Sequence, residues 1–417
     1  MRWALFAAIL ASAGCLAGTS GDDTGEGTAV VTDEAMAWPS DAYWDVATAN
    51  MVYLERSIRH LGGGPTSGTL QFHSLERIEA RLAQLNETFP GLVDLRVIGL
   101  SRLGRHVYDL VVTDESVPAA GKVVPILDGA HHGNEYAGGE LMLYTADLLL
   151  ENWATNATVR SMLRDQEIHF IPVVNPDGWV AATRYNGFGV NLNRNYDIDW
   201  GNPLGTSNPI MGTVGEATGQ PLGGVALVAE NCGASAFSEP ETQALRDLFN
   251  ATKDRAAFYL TGHTATHAVI APWAAFMQPG PLPAEHNTLL ESELQWVRDH
   301  TEYQAGKAAW GNLSAGLPYA ASGSSMDYYY VNVERPAFTI EVEYEVTSAT
   351  SSDYPDRLLM PFEGLQFWMR ASAGLPMHLL SNARELAAWQ VPTHAALVPE
   401  EVQSPSGLEP AIRAPHL

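Results

Sequence analysis

The segment GAHHGNEYAGGE, residues 129–140, carries side chains that could bind a metal ion. It follows the apolar run VVPIL at 123–127 and precedes LMLYTADLLL at 141–150, so the pattern predicts a loop between a strand and a helix. Loops of this kind are where α/β proteins usually bind ligands. Zinc at a hydrolytic centre takes histidine and glutamate ligands and leaves one position open for water. His132 and Glu135 could therefore supply two zinc ligands.

An alternative pair in the same segment is His131 with Glu135, whose spacing would suit one face of a helix. The preceding strand and the nearby glycines argue against a helix at this point. An HxxE pair alone is also consistent with an ordinary polar loop, so the interpretation depends on the rest of the chain.

Other segments also place polar residues at the ends of predicted strands or in irregular loops. They are IPVVNPDGW at 171–179, TRYNGFGVNLNRNY at 183–196, YLTGHTATHAVIAPW at 259–273, YAASGSSMDYYY at 319–330 and AFTIEVEYE at 337–345. The serines of SGSS at 322–325 lack a G-x-S-x-G motif, which argues against a serine hydrolase.

The elements that would position these residues alternate between strands and helices. Apolar strand candidates lie at 95–100, 106–112, 123–127, 168–174, 256–262 and 337–344. Helical patterns lie at 139–153, 157–164, 238–250 and 358–371, with one more possible at 379–389. This alternation predicts an α/β fold, with a mixed, mostly parallel, twisted sheet, helices on both faces and a single large domain.

One more helix is predicted between Ser74, a preferred N-cap residue, and Pro90, which ends it. Its apolar residues recur on one helical face, at Leu75, Ile78, Leu82 and Leu85. Gly- and Pro-rich segments fill 200–236 and 274–286. Irregular segments of this length are uncommon unless they border a functional site.

The composition excludes several classes of protein. Of the 417 residues, 46% are hydrophobic, which is enough for a large core. The formal net charge of −25 argues against nucleic acid as a partner. The chain has only two cysteines, Cys15 and Cys232, so the count excludes a disulfide framework and a cysteine-rich zinc site.

The first residues, MRWALFAAILASAGC, are typical of an export signal, with one arginine before an apolar stretch at 3–11. That stretch is shorter than the roughly 20 residues that cross a bilayer. ASA at 11–13 fits an ordinary cleavage site, whereas SAGC at 12–15 resembles a bacterial lipobox with serine in place of leucine. Either way we expect an extracytoplasmic protein, secreted or a bacterial lipoprotein. In the lipoprotein case, a lipid anchor at Cys15 would be its membrane contact.

Five short motifs occur in the order of a known family, namely HGNE at 132–135, NPDG at 175–178, NRN at 193–195, HTAT at 263–266 and FTIE at 338–341. With them, residues 70 to 372 resemble the zinc metallocarboxypeptidases related to pancreatic carboxypeptidase A. The spacing of Tyr319 and Glu341 also fits that family. Each motif is modest alone, but their order makes the resemblance specific. It implies a zinc carboxypeptidase-like fold.

The resemblance divides the chain into four parts. With the export signal and the composition, it predicts a signal peptide at 1–14, an acidic tether and N-terminal extension at 15–69, the catalytic domain at 70–374 and a Pro-rich tail at 375–417.

The resemblance also implies one zinc ion per chain, bound by His132, Glu135 and His263. His267 lies four residues beyond His263 and is the competing candidate. Glu341 matches the family's catalytic glutamate, which would accept a proton from the zinc-bound water. The acids at 343 and 345 share its strand face, but only Glu341 completes the FTIE motif.

The remaining site residues follow from the same resemblance. Arg184 matches the arginine that stabilises the developing oxyanion, although the segment between NPDG and NRN is short here. Asn193 and Arg194 match the pair that binds the substrate's terminal carboxylate. Tyr319 matches the mobile tyrosine that covers the substrate terminus.

Met326 falls at the position that forms the bottom of the family's side-chain pocket, and a thioether there favours an apolar or aromatic terminal residue. Methionine is also an ordinary core residue, and the neighbouring Asp327 keeps a basic preference open. Asn134 stands where the pancreatic branch has arginine, so contacts to the penultimate substrate residue should differ.

The sequence therefore predicts a monomeric zinc carboxypeptidase that removes residues from the C-termini of peptides or proteins. A cell-wall peptidase that cleaves peptidoglycan stem peptides on the same fold is the alternative within hydrolases. A zinc-containing peptide-binding module without catalysis is the alternative outside them, but such a module would be expected to have lost Glu341 or Arg184.

Overall fold

The computed structural model describes residues 51–59, 65–202, 207–209, 227–264, 266–275, 281–301, 303–307, 321–344, 369 and 372–389. Several predictions fall outside these ranges. They are the signal peptide at 1–14 with Cys15, the acidic segment up to residue 50, Tyr319, most of the helix predicted at 358–371, and the tail from 390. No helix of the described residues is both long enough and apolar enough to cross a membrane.

The strands come from both halves of the chain. They are β1 (Met51–Arg59), β2 (Pro65–His73), β3 (Val93–Leu100), β4 (His106–Val112), β5 (Val124–Gly129), β6 (Ile168–Ile171), β7 (Ser207–Pro209), β8 (Leu227–Ala229), β9 (Ala256–Thr264), β10 (Thr266–Ala271), β11 (Gln304–Lys307) and β12 (Ala337–Tyr344). Within the described ranges, eight of them form one sheet in the order β11-β10-β12-β9-β5-β6-β4-β3. The pairs β12–β9, β9–β5 and β5–β6 are parallel. The pairs β10–β12, β6–β4 and β4–β3 are antiparallel. The predicted mixed, mostly parallel sheet is confirmed.

The central strands are apolar because both of their faces are buried. Every residue of β5 and β6 is buried, and so are all but the last of β9. Continuous apolar runs are expected where helices cover both faces of a parallel sheet.

The helices are α1 (Leu75–Thr88), α2 (Tyr136–Asn152), α3 (Ala157–Asp165), α4 (Pro176–Ala181), α5 (Pro240–Thr252), α6 (Ala284–His300), α7 (Ser325–Asn332), α8 (Gly374–Ser381) and α9 (Ala383–Ala388).

The first helix forms as its sequence predicts. The side chain of Ser74 accepts a hydrogen bond from the amide of Arg77, so it caps the first turn. The four apolar residues of the predicted face are the buried ones, Leu75, Ile78, Leu82 and Leu85.

The hairpin of β1 and β2 was not predicted, because its first strand lies in the segment assigned to the N-terminal extension. Its last residue, His73, is buried, and its Nδ1 lies 2.8 Å from Oε2 of Glu140 on α2. The indole nitrogen of Trp179 donates to the carbonyl of His73. The end of the hairpin is therefore attached to the helix that follows the HGNE loop.

The strand predicted at 168–174 is three residues too long. It ends at Ile171 because Pro172 has no amide proton to donate to a neighbouring strand. The next residues cross toward β5 instead, where Val174 donates to the carbonyl of Gly129 and Asn175 to that of Ala130. This crossing places the NPDG turn beside the HGNE loop.

Helix α8 begins one residue before the segment that was predicted to be a Pro-rich tail, and α9 lies within the helix predicted there at 379–389. Leu375, Leu379 and Leu380 are buried, and Gln166 Nε2 donates to the carbonyl of Leu380 at 2.7 Å. The described beginning of the tail thus belongs to the same core as the strands.

Replacing Leu379 by alanine should lower the free energy of unfolding by about 2–5 kcal/mol, because the change leaves a cavity in the core. Chemical denaturation measures this loss. Arg384→Ala is the control, since that side chain is 57% exposed and its ion pair with Asp165 is worth about 0–1 kcal/mol. Equal effects of the two substitutions would show that α8 contributes no more than a surface segment.

Candidate metal centre and active site

The HGNE loop connects β5 to α2, as the sequence predicts. Its backbone turns sharply at Ala130, which has a φ of 56°. His132 and Glu135 are buried, and Glu135 occupies the position before the first turn of α2. The loop therefore holds two polar side chains at the carboxyl end of a central parallel strand, where ligands of α/β proteins bind.

Two glycines allow this loop to approach its neighbours closely. A Cβ atom at Gly133 would lie 2.0 Å from the carbonyl carbon of Gly178, and one at Gly138 would lie 2.3 Å from the carbonyl oxygen of Gly262. Side chains at either position would push the neighbouring backbone away. Gly133 thus brings the HGNE loop against the NPDG turn, and Gly138, in the first turn of α2, brings that helix against β9.

His263 arrives from β9, the strand next to β5 in the sheet. Its Nδ1 lies 3.1 Å from Nδ1 of His132 and 2.8 Å from Oε2 of Glu135. His132 Nδ1 lies 2.8 Å from Oε1 of Glu135. Two imidazole nitrogens and a carboxylate thus converge on one point, with ligand atoms within 4.8 Å of one another.

The donor set fits zinc. Histidine nitrogen and glutamate oxygen are the ligands of hydrolytic zinc sites with three protein ligands. His132 Nε2 lies 3.0 Å from the side-chain oxygen Oδ1 of Asn191, which can only accept, so Nε2 carries the proton and the Nδ1 lone pair faces the cluster. Outer-shell hydrogen bonds of this kind orient metal-binding histidines.

The electrostatics of the cluster favour deprotonated ligands. Burial, together with the charge of Arg184, lowers the pKa of His132 to about 4. Burial alone would raise the pKa of Glu135, but the charge of His132 and hydrogen bonds with His132 and His263 lower it well below its usual value. A neutral imidazole and an ionised carboxylate are the forms that bind a metal.

His131, the competing histidine in the loop, has other partners. Its Nε2 lies 2.9 Å from the hydroxyl of Tyr196, and its Nδ1 lies 3.4 Å from the hydroxyl of Thr261. Both ring nitrogens are engaged away from the cluster, which explains why His132 faces the metal position. The side chain of His267 lies outside the described part of the chain.

Glu341 lies on β12, directly opposite His263 of β9 in the parallel register. Its side chain is buried, with 5% exposed. Neighbouring parallel strands thus place a carboxylate next to a predicted zinc ligand. The acids at 343 and 345 have side chains outside the described part of the chain.

Arg184 follows α4 after a turn at Ala182, whose φ is 52°. One guanidinium nitrogen donates to Oε1 of Glu135 at 3.0 Å and lies 3.0 Å from Nδ1 of His132. The arginine predicted to stabilise an oxyanion therefore lies at the edge of the metal cluster.

Asn193 and Arg194 lie in the short 3₁₀ turn Leu192–Arg194, which the side chain of Asn191 caps. Asn193 Nδ2 lies 3.3 Å from Nε2 of His263, and its side-chain Oδ1 accepts from the backbone amide of Ser325 at 3.0 Å. Arg194 is 2% exposed and donates to the carbonyl of Asn193. Asn193 is thus next to a predicted zinc ligand, and Arg194 follows it in the same turn.

A model of the zinc carboxypeptidase family matches residues 78–363, well over half of the chain. The chain belongs to the zinc carboxypeptidase family. The family resemblance predicted from the motifs is confirmed. Zinc is the cofactor of this family of peptide hydrolases, and the cluster of His132, Glu135 and His263 is compatible with a zinc site.

Animal proteins are among the curated relatives of this family member. Carboxypeptidase O of Bos taurus is 23% identical over 277 residues, which cover 62% of this chain and 66% of that protein. Zinc carboxypeptidase of Simulium vittatum is 25% identical, with 65% of this chain and 86% of the relative covered. Carboxypeptidase B of Homo sapiens is also 25% identical, with 65% and 63% covered. The chain thus spans about two thirds of the length of the first and third of these relatives.

Solved structures show the same fold. Carboxypeptidase A from Helicoverpa armigera superimposes with a TM-score of 0.56 at 22% identity, covering 76% of this chain and 74% of the other. A metallo-carboxypeptidase from Burkholderia cenocepacia has a TM-score of 0.52 at 17% identity, with 76% and 70% covered.

In this zinc carboxypeptidase, Met326 is a buried residue of α7, and its sulfur accepts a hydrogen bond from Thr339. Asp327, which left a basic preference open, has other partners. Its two oxygens accept from the amides of Ala274 and Ala275, at 3.1 and 2.6 Å. Burial raises the pKa of Asp327 to about 7 despite these hydrogen bonds. Its carboxylate therefore holds the turn after β10.

Sequence reasoning missed two residues of the site, Asn191 and Glu230. Asn191 lies in the quoted NLNRN segment, so its position was available as a signal. Glu230 follows β8 in the Gly- and Pro-rich segment, where no motif or periodicity marks it. Only the length of that irregular segment indicated that it borders a functional site.

Proposed function

We propose that this protein is an extracytoplasmic zinc carboxypeptidase, secreted or lipid-anchored at Cys15, that removes C-terminal residues from peptides as a monomer. One observation carries the proposal: Asn193 lies beside a predicted zinc ligand, with its Nδ2 3.3 Å from His263 Nε2, and the buried Arg194 follows it in the same 3₁₀ turn. An enzyme that cleaves within chains has no need of a buried arginine in the turn that contacts a zinc ligand. An enzyme that cleaves the last peptide bond needs one to bind the terminal carboxylate.

The residues around the cluster then divide the chemistry between them. Bound zinc would lower the pKa of a water molecule and polarise the scissile carbonyl. Glu341 accepts the proton of that water and transfers it to the leaving amine. Arg184 stabilises the negative charge that develops on the carbonyl oxygen. Arg194 and Asn193 hold the substrate's carboxylate in place.

The terminal side chain would enter a pocket that ends at Met326. The thioether offers no charge to a lysine, arginine or aspartate side chain. Asp327, the nearest acid in sequence, has both oxygens occupied by backbone amides. These contacts favour an apolar or aromatic terminal residue.

Peptides ending in Phe, Leu, Tyr or Met should therefore be cleaved faster than matched peptides ending in Lys or Asp. Burial of an unpaired charge costs several kcal/mol, so we expect a difference in kcat/KM of about a hundredfold or more. The measurement is kcat/KM on peptides that differ only in the last residue. A preference for basic termini would contradict the apolar pocket.

The same assay tests the proposed reaction itself. Amidation of the C-terminus should slow every substrate, because Arg194 then has no anion to bind. Digestion of a mixed peptide library, read by mass spectrometry, should give products shortened from the C-terminal end. Internal cleavage, or no cleavage by zinc-loaded protein, would refute the proposal. Inclusion of peptidoglycan stem peptides in the library tests the cell-wall alternative.

A further inference from the structure

Glu230 is a buried acid that the proposed chemistry leaves without a role. It lies directly after β8, and its side chain is 3% exposed. Arg184 Nε donates to its Oε1 at 2.7 Å, and Arg194 Nε lies 3.7 Å from its Oε2. The side-chain nitrogen Nδ2 of Asn191 donates to Oε2 of Glu230 as well. One carboxylate thus contacts both arginines of the proposed active site.

The charge of Glu230 is suited to these contacts. Burial alone would raise its pKa, but the charges of Arg184 and Arg194 and the hydrogen bond from Arg184 lower it. The carboxylate is therefore ionised at neutral pH. Loss of one member of a buried charged group leaves the others uncompensated, so removal of Glu230 would let the two guanidinium groups move apart.

A second connection runs from Glu230 to the metal cluster. The side-chain amide of Asn191 donates from Nδ2 to Glu230, and its Oδ1 accepts from Nε2 of His132. The same oxygen accepts from the amide of Asn193 at 3.0 Å. Glu230 therefore orients the Asn191 amide, and that amide orients both a predicted zinc ligand and the turn that carries Asn193 and Arg194.

We propose that Glu230 is a positioning residue that fixes the carboxylate-binding arginine relative to the metal centre. It holds Arg184 and Arg194 directly and His132 through Asn191. In a peptide, the terminal carboxylate lies at a fixed distance from the scissile bond. Glu230 would therefore keep Arg194, which binds the carboxylate, at the matching distance from the metal centre, which binds the scissile carbonyl. The inference rests on the proposed function.

The test compares Glu230→Gln with Glu239→Gln. The side chain of Glu239 is 3% exposed, as is that of Glu230, and it pairs with Arg102 at 2.8 Å and accepts from the side-chain amide of Asn186. Among the described residues, its hydrogen bonds and ion pairs involve no predicted zinc ligand and neither Arg184 nor Arg194. Both substitutions remove a buried negative charge from an arginine, so a structural role alone would affect both proteins equally.

Glu230→Gln should weaken zinc binding on the order of tenfold, measured by competition with a chelator, because outer-shell partners change metal affinity by about 10- to 100-fold. It should also reduce the ratio of kcat/KM for free-acid peptides over amidated peptides by about tenfold, with KM more affected than kcat. Glu239→Gln should leave zinc affinity and this ratio unchanged. Unchanged zinc affinity and ratio in Glu230→Gln, or equal changes in both variants, would overturn the inference.

Asn191→Ala provides a second variant if Glu230→Gln fails to fold. It breaks the connection to His132 but retains the pairs of Glu230 with the arginines. We expect weaker zinc binding from this variant, and unchanged binding would overturn the connection to the metal. Zinc affinity can be measured whether or not peptides are cleaved. Failure of the proposed function would therefore appear as inactive wild-type protein that still binds zinc, separately from the outcome for Glu230.

Discussion

Glu341→Gln should retain zinc and peptide binding but lower kcat by about 10² to 10⁴, the range over which general-base catalysis usually acts. Glutamine has nearly the shape of glutamate, but its amide cannot accept the proton of the attacking water. Glu341 lies opposite His263 in the register of β12 with β9, so the loss would come from a group next to the metal.

The measurement is steady-state kinetics on a peptide with an apolar terminus, together with the zinc content of each protein. Glu343→Gln is the matched control, because residues 341 and 343 lie on the same face of one strand. We expect near-normal kcat from the control. Near-normal kcat in Glu341→Gln would show that Glu341 is structural, and a loss in the control alone would assign the base to residue 343.

His263→Ala should lose most of the bound zinc while the fold is retained. Three protein ligands hold a hydrolytic zinc ion, and this change leaves two. We expect an affinity at least about a hundredfold lower, since even outer-shell changes cost about 10- to 100-fold. Chelator competition and metal analysis of the purified protein measure the effect.

His267→Ala is the control for this result, since His267 is the other histidine of the HTATH segment. It should bind zinc as the wild type does. Full zinc occupancy in His263→Ala, with a loss in His267→Ala, would move the third ligand to residue 267. Circular dichroism of both variants separates metal loss from unfolding.

The predicted strands at 256–262 and 337–344 show how far local patterns reach. Both segments are strands in the structure, because an apolar run buried on both faces of a sheet has few other stable conformations. The register between them cannot be read from the runs themselves. A shift by one residue would place Glu341 on the opposite face from His263, whereas the register of the folded sheet pairs the two residues directly.

The end of the strand predicted at 168–174 and the helices α8 and α9 illustrate the opposite case. Pro172 ends β6 by a local rule, yet the apolar run continues past it through residues 173 and 174 and misled the prediction. The prolines after residue 374 indicated a tail, although Leu379 and Leu380 fill space in the core. Composition describes what a segment tends to do alone, whereas burial depends on whether the core has room for it.

The sequence by itself determined the alternating strands and helices, the family, and the chemical types of the metal ligands, because these follow from local periodicity and from short motifs. The tertiary structure decided which groups meet. It placed His132 in the cluster and His131 on Tyr196, held Asp327 by two backbone amides, and brought Glu230 to Arg184 and Arg194. Such contacts join residues far apart in the chain, and their energy depends on burial and on distance. Neither quantity exists before the sheet has folded and its loops have been brought together.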